Sequence, residues 1–82
     1  MIDVLYFAWL RERIGAPKER IDTSALTVAD LVEELKTRSD AHALAFADVA
    51  SVRVAIDQEL TEMTASLSGA REVAFFPPMT GG

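Results

Sequence analysis

The residues best suited to chemistry stand at the end of the chain, which closes with Phe75-Phe76-Pro77-Pro78-Met79-Thr80-Gly81-Gly82. Two prolines favour an extended, polyproline-like course that leads the following residues away from whatever precedes them. A six-residue tail of this kind places its last carboxylate about 20 Å from the domain. Gly81 and Gly82 have no side chains, so the final backbone atoms fit a narrow channel that any Cβ would block. Read as a free terminus, the Gly82 carboxylate has a reference pKa of about 3.5 and is ionised at neutral pH. When an enzyme positions both groups, such a carboxylate attacks the α-phosphate of ATP. The product is an acyl-adenylate, a mixed anhydride open to attack by sulfur. Gly82 is therefore the candidate reactive residue. Pro77, Pro78, Met79, Thr80 and Gly81 are the candidate residues for inserting it into a partner.

No other constellation in the chain competes with the tail. There is no cysteine, which excludes disulfides, thiolate nucleophiles and Cys-based metal centres. His42 is the only histidine, so no catalytic pair is built around a second one; it is expected on the surface of a short helix. Glu33 and Glu34 are adjacent, and adjacent helical positions diverge too far to make an acid/base pair. The acidic residues lack the spacing of a calcium loop, and Gly69 is a lone turn glycine outside any phosphate-binding loop. No metal site and no bound cofactor are expected, and catalysis on this chain needs groups from another subunit. Thirteen acidic residues against eight basic ones give a net charge of -5, and no stretch gathers the cations into a stripe. Nucleic acid is therefore an unsuitable partner. The start lacks the basic region of a signal peptide, and the longest apolar run, Val4 to Leu10, is far too short to span a bilayer. A chain without cysteine or targeting signals is expected to be soluble and cytoplasmic, with no membrane partner.

The tail needs a domain behind it, and 82 residues suffice for one. Of the 41 apolar residues that make up 50% of the chain, 13 are alanine, so 28 larger side chains remain for one modest core. A domain of this size buries only about 60% of the surface its unfolded chain exposes. That argues against a roomy internal pocket and in favour of sites on the surface, at the chain ends or at an interface.

Ile2 to Phe7 is rich in β-branched and aromatic residues and reads as a strand, with Ile2, Val4 and Tyr6 on one face and Asp3, Leu5 and Phe7 on the other. Ala8 to Ile14 reads as a short helical turn closed by Gly15. Here Trp9 would anchor the segment on the sheet, and Arg11 reads first as a solvated arginine. Glu19 to Asp22 is a weak second strand. Thr27 is a good N-cap with Asp30 as the acidic half of a capping box, and Leu26 and Leu31 are spaced for a hydrophobic staple. Val28, Leu31, Val32 and Leu35 follow the i, i+3, i+4, i+7 pattern of a buried helical stripe. Glu33, Glu34, Lys36 and Arg38 make the opposite face, with Glu34 and Arg38 in the favourable i, i+4 order. Residues 40–48 read as a short alanine-rich helix. Val52, Val54 and Ile56 alternate as a half-buried strand, Asp57 to Glu59 turn, and Leu60 to Met63 return. The last strand, Glu72 to Phe76, is stopped by Pro77-Pro78. One amphipathic helix across a mixed sheet satisfies every apolar stripe, which defines an α+β fold.

With these elements placed, the chain resembles the small-subunit family of molybdopterin synthase (MoaD), the ubiquitin-like β-grasp sulfur carriers. The likeness spans the whole chain and is clearest in Val4-Leu5-Tyr6-Phe7-Ala8, in Arg11-Glu12, and in the closing Glu72-Val73-Ala74-Phe75-Phe76-Pro77-Pro78-Met79-Thr80-Gly81-Gly82. The resemblance implies a mixed sheet of four to five strands packed on one main helix with short helices beside it. The β-grasp domain would span residues 1–76, and an extended tail residues 77–82. It also implies a mechanism. An E1-like adenylating enzyme activates the Gly82 carboxylate with ATP, and a sulfur donor protein converts the adenylate to a thiocarboxylate. The tail then enters the large synthase subunit and gives its sulfur to cyclic pyranopterin monophosphate, forming the dithiolene of molybdopterin. ATP would be used by the activating enzyme and not held by this chain. Carriers for thiamine or cysteine synthesis and ubiquitin-like protein modifiers share the same general design.

In a β-grasp fold the first and last strands are neighbours, so the alternation brings Phe7 and Phe76 together on the outer face, where Leu60 joins them. The resemblance places the partner contacts there, and Phe7, Arg11, Leu60 and Phe76 are the expected partner-binding residues; the alternative is that a loop or the alanine-rich helix covers the aromatic pair as a second small core. The chain departs from the family pattern in two places. Ala70-Arg71-Glu72 stands where Gly-Asp-Glu is common, and Asp57 stands where Asn is common. Both are expected to bear on partner choice and not on the carrier role.

Overall fold

The alternating residues at the start of the chain form β1 (Ile2–Tyr6), in which Ile2, Val4 and Tyr6 are buried and the residues between them are not. The computed structural model describes residues 1–78. After β1 come α1 (Trp9–Ile14), β2 (Lys18–Ile21), α2 (Val28–Lys36), α3 (Asp40–Ala45), a single 3-10 turn at Val49–Ser51, then β3 (Arg53–Ile56), β4 (Glu59–Thr61) and β5 (Glu72–Phe76). The strands make one five-stranded sheet in the order β2-β1-β5-β3-β4. Only the β1–β5 pair is parallel, and the other three ladders are antiparallel. The last strand thus lies at the centre of the sheet.

α2 supplies the other wall of the core. Thr27 caps it, its Oγ1 accepting the Asp30 N–H at 3.2 Å, so one half of the expected capping box is present. Val28, Leu31, Val32 and Leu35 are all buried. They pack in one cluster with Val4, Tyr6, Val54, Val73 and Phe75 from the inner face of the sheet. Burial of each such side chain is worth about 1.5–3 kcal/mol relative to leaving it exposed. Phe46, just past α3, fills the end of this core with its ring edge-on to Phe75 at 5.0 Å. α1 ends at Gly15, whose φ of 88° is the left-handed conformation that glycine adopts without strain.

Several local expectations need correction. The staple between Leu26 and Leu31 does not form, because Leu26 is 76% exposed while Leu31 is fully buried. The chain there is held by backbone bonds instead: the Leu26 carbonyl accepts the Leu67 N–H at 2.9 Å, and Thr27 bridges Ser66. Glu34 does not pair with Arg38. Its Oε2 accepts a hydrogen bond from Thr23 Oγ1, and Arg38 reaches Glu19 at 3.4 Å. The expected helix over 40–48 stops at Ala45, and the return strand ends at Thr61 instead of Met63.

Candidate functional site

β5 leads directly to the tail. Phe76, its last residue, is followed by half-buried Pro77 and Pro78, which belong to no strand. Met79, Thr80, Gly81 and Gly82, the rest of the expected insertion segment and its reactive terminus, lie outside the described residues.

The strand registers define what surrounds the root of the tail. Lys18, Leu5, Ala74, Ala55 and Leu60 form one row across all five strands on the face turned away from α2. Phe76 and Arg53 are partners in the next row on the same face. Phe7 extends the β1–β5 ladder by one residue, its N–H donating to the Phe75 carbonyl at 3.1 Å. Strand alternation therefore turns it to the face opposite Tyr6. The chain leaves the sheet at Ala8, whose φ of 54° and ψ of -131° form a sharp corner. Phe7 is 45% and Leu60 is 70% exposed, while Phe76 is half-buried. Neither a loop nor the alanine-rich helix closes over the first two. The structure thus brings Phe7 and Phe76 to adjacent strands, with Leu60 on the same face across β3. Arg11 stands off the sheet on α1, exposed and without an ion pair among the described residues. Beside it on the same helix, the Arg13 guanidinium lies 4.7 Å from the centre of the half-buried Trp9 ring.

The other notable cluster is one that sequence reasoning misplaced. His42 is not a surface residue but only 7% exposed, at the inner end of α3. Its Nε2 lies 2.6 Å from Glu19 Oε1, and the same oxygen accepts the Tyr6 hydroxyl proton at 2.8 Å. Ser39 Oγ caps α3 through the His42 N–H and contacts Nδ1 at 2.7 Å. A carboxylate only accepts, so Nε2 carries a proton. Burial alone would raise the Glu19 carboxyl, but the hydrogen bonds from His42 and Tyr6, with the charges of His42 and Arg38, hold it below its ordinary range. Burial first, and then the bond to Glu19, pushes the Tyr6 hydroxyl far above the usual tyrosine range. The cluster ties β1, β2 and α3 together. It lies on the inner side of the sheet, away from Phe7 and Phe76, and reads as structural.

At the far end of β5 from the tail, Asp57 Oδ1 accepts the N–H groups of both Arg71 and Glu72, at 3.0 and 2.9 Å. Asp57 and Arg71, from the two places that depart from the family pattern, are thus neighbours. They lock the β3–β4 turn to the start of the last strand. Among the described residues no group of His, Asp and Glu side chains could hold a metal ion, and no helix is long and apolar enough to cross a membrane.

A mixed sheet with the last strand central and parallel to the first, curled over one main helix, is the ubiquitin-like β-grasp arrangement. Comparison with known proteins agrees. The crystal structure of SAMP1, a small archaeal modifier protein of Haloferax volcanii, superposes with a TM-score of 0.73 over 99% of this chain and 98% of that one, at 25% identity. The molybdopterin synthase sulfur carrier subunit of Escherichia coli (strain K12) is 39% identical over 82 residues, all of both chains. That of Haemophilus influenzae is 37% identical over the same span, again all of both chains. The ThiS family model matches residues 4–82. This chain belongs to the ThiS family.

Proposed function

We propose that this chain is the sulfur-carrier subunit of a molybdopterin synthase. The observation that carries the reading is the end-to-end match to proteins of that name, at 39% and 37% identity with no part of either chain left over. The geometry supports it. The core of the domain is filled by side chains, the outer sheet face is open, and the central strand delivers the chain to the Pro77-Pro78 exit beside Phe7 and Phe76.

In this reading the domain is a handle and the tail is the reagent. The Gly82 carboxylate attacks the α-phosphate of ATP on an E1-like enzyme, forming the acyl-adenylate and releasing pyrophosphate. Sulfide-level sulfur delivered by a sulfur donor protein then attacks the adenylate carbonyl, displacing AMP and leaving a thiocarboxylate. Phe7, Leu60 and Phe76 dock on the large subunit, Arg11 adds a charge contact, and Pro77 to Gly81 thread the terminus inward. The thiocarboxylate sulfur passes to cyclic pyranopterin monophosphate in a site built by the large subunit. Each round returns a carboxylate that is loaded again, in the cytoplasm where ATP is at hand.

The test is the intact mass of the chain after incubation with ATP, an adenylating enzyme and a sulfur source. The expected result is a gain matching one oxygen replaced by sulfur, absent from a Gly82 deletion that still folds. No gain, with the enzyme shown competent on another carrier, would overturn the reading. The superposition on an archaeal modifier protein favours a second reading, in which Gly82 is joined to protein lysines. Gly82-linked conjugates in cells are the outcome that separates the two.

A further inference from the structure

The outer face carries charges as well as apolar groups, and the way they are paired singles out one of them. Three cations project from its strands: Lys18 and Arg20 on β2 and Arg53 on β3. Asp3 engages the first two, at 3.8 and 3.1 Å. Arg53 makes no ion pair among the described residues, although Glu62 lines the same shallow groove. It is exposed, and its register partner is Phe76, the last strand residue before Pro77. An unpaired guanidinium therefore stands beside the root of the tail in a chain whose net charge is -5.

We propose that Arg53 is a specificity-determining residue that pairs with a carboxylate on the large synthase subunit and fixes the orientation in which the tail is presented. The inference rests on the carrier reading above. Its physical basis is the division of the face into zones. The central row offers Leu5, Ala55 and Leu60, whose contacts are non-directional and tolerate rotation of the partner. At the end far from the tail, Asp3 is already engaged by its two cations. On the sheet face itself Arg53 is the directional element at the end where the tail leaves, while Arg11 stands off the sheet on α1. A guanidinium offers a planar fork of donors matched to a carboxylate, so pairing sets both distance and angle. A charge at the rim of an interface acts mainly on the association rate, through steering, and its effect fades as salt screens it.

The experiment measures association and dissociation rates of the full chain with the purified large subunit, followed by Trp9 fluorescence at low and high ionic strength. Arg53→Glu should slow association about tenfold at low salt and speed dissociation by a smaller factor, since the bound carboxylate loses its partner, and the association difference should shrink as salt rises. Arg53→Gln, a milder change at an exposed position, should lose about threefold. Lys36→Glu changes the net charge equally but on α2, and it should alter association by less than about twofold. Equal rates for Arg53→Glu and wild type would overturn the inference, as would equal losses for Arg53→Glu and Lys36→Glu. Failure of the wild-type chain to bind the large subunit would instead remove the carrier reading, and this inference with it.

Discussion

Replacing Glu19 by alanine tests whether the cluster around His42 stabilises the fold. The carboxylate serves two donors from groups that are almost wholly enclosed: the Tyr6 hydroxyl at 2.8 Å and His42 Nε2 at 2.6 Å. Deleting it leaves both without their partner. A buried polar group stripped of its partner costs about 1–3 kcal/mol, so two would cost about 2–6 kcal/mol if the site stayed dry. The Glu19 side chain retains 20% exposure, however, so water reaches the vacated space and meets part of that demand. The expected loss for Glu19→Ala is about 2–4 kcal/mol. A domain of this length has about 4–12 kcal/mol in all, and the melting temperature should fall by about 10–25 °C. Urea unfolding followed by far-ultraviolet circular dichroism measures the change, and the slope against denaturant should not alter. Tyr6→Phe removes one of the two bonds and should cost about 1 kcal/mol. The double variant should lose less than the sum, since both changes break the same bond. The pH dependence carries a sign. The folded Glu19 carboxyl is held below its ordinary value. Its contribution is therefore complete above the unfolded pKa and lost as pH falls through the folded one. Wild type should lose that increment on acidification, and Glu19→Ala should not. A Glu19→Ala variant within about 0.5 kcal/mol of wild type, or with the same acid limb, would refute the assignment.

Two further outcomes follow from the surface and the turn. Leu60→Ala should leave stability within about 0.5 kcal/mol of wild type, because the side chain is mostly exposed, while large-subunit affinity falls about fivefold or more in a titration. Gln58→Gly should raise stability by about 0.5–1 kcal/mol in thermal unfolding. Asp57 and Gln58 both hold positive φ, 48° and 72°, at the centre of a two-residue hairpin that favours glycine at the second place.

The elements with a strong local period are legible in the order of residues alone. The stripe of Val28, Leu31, Val32 and Leu35 declares α2, and the alternation through Val73, Ala74, Phe75 and Phe76 declares β5 and the outer position of Phe76. Phe7 is legible in the same way, since period-two geometry leaves it nowhere but the outer face once Tyr6 is inside. His42 is not. Its partner Glu19 lies 23 positions away on a strand with a weak signal, and no local pattern distinguishes a solvated histidine from one that meets a carboxylate across the core. Leu26 misleads for a related reason: the staple spacing is present, but backbone bonds to the segment near Leu67 take the chain another way. Arg53 reads as one polar residue in an alternating strand. That it faces Phe76 without an ion pair depends on registers that only the assembled sheet defines.

The central position of β5 has a consequence for how the chain is made. Until that strand emerges, β1–β2 and β3–β4 are separate hairpins with no ladder between them, since each meets the other only through β5. An isolated hairpin is at best marginally stable, and the parallel β1–β5 pair joins segments about 70 residues apart in sequence, a slow closure. The strand that emerges just before the tail is thus the keystone of the sheet. During synthesis the outer face and the tail cannot be offered to a partner by a half-made chain. Completion of the fold and readiness for docking arrive together, once Phe76 has cleared the ribosome.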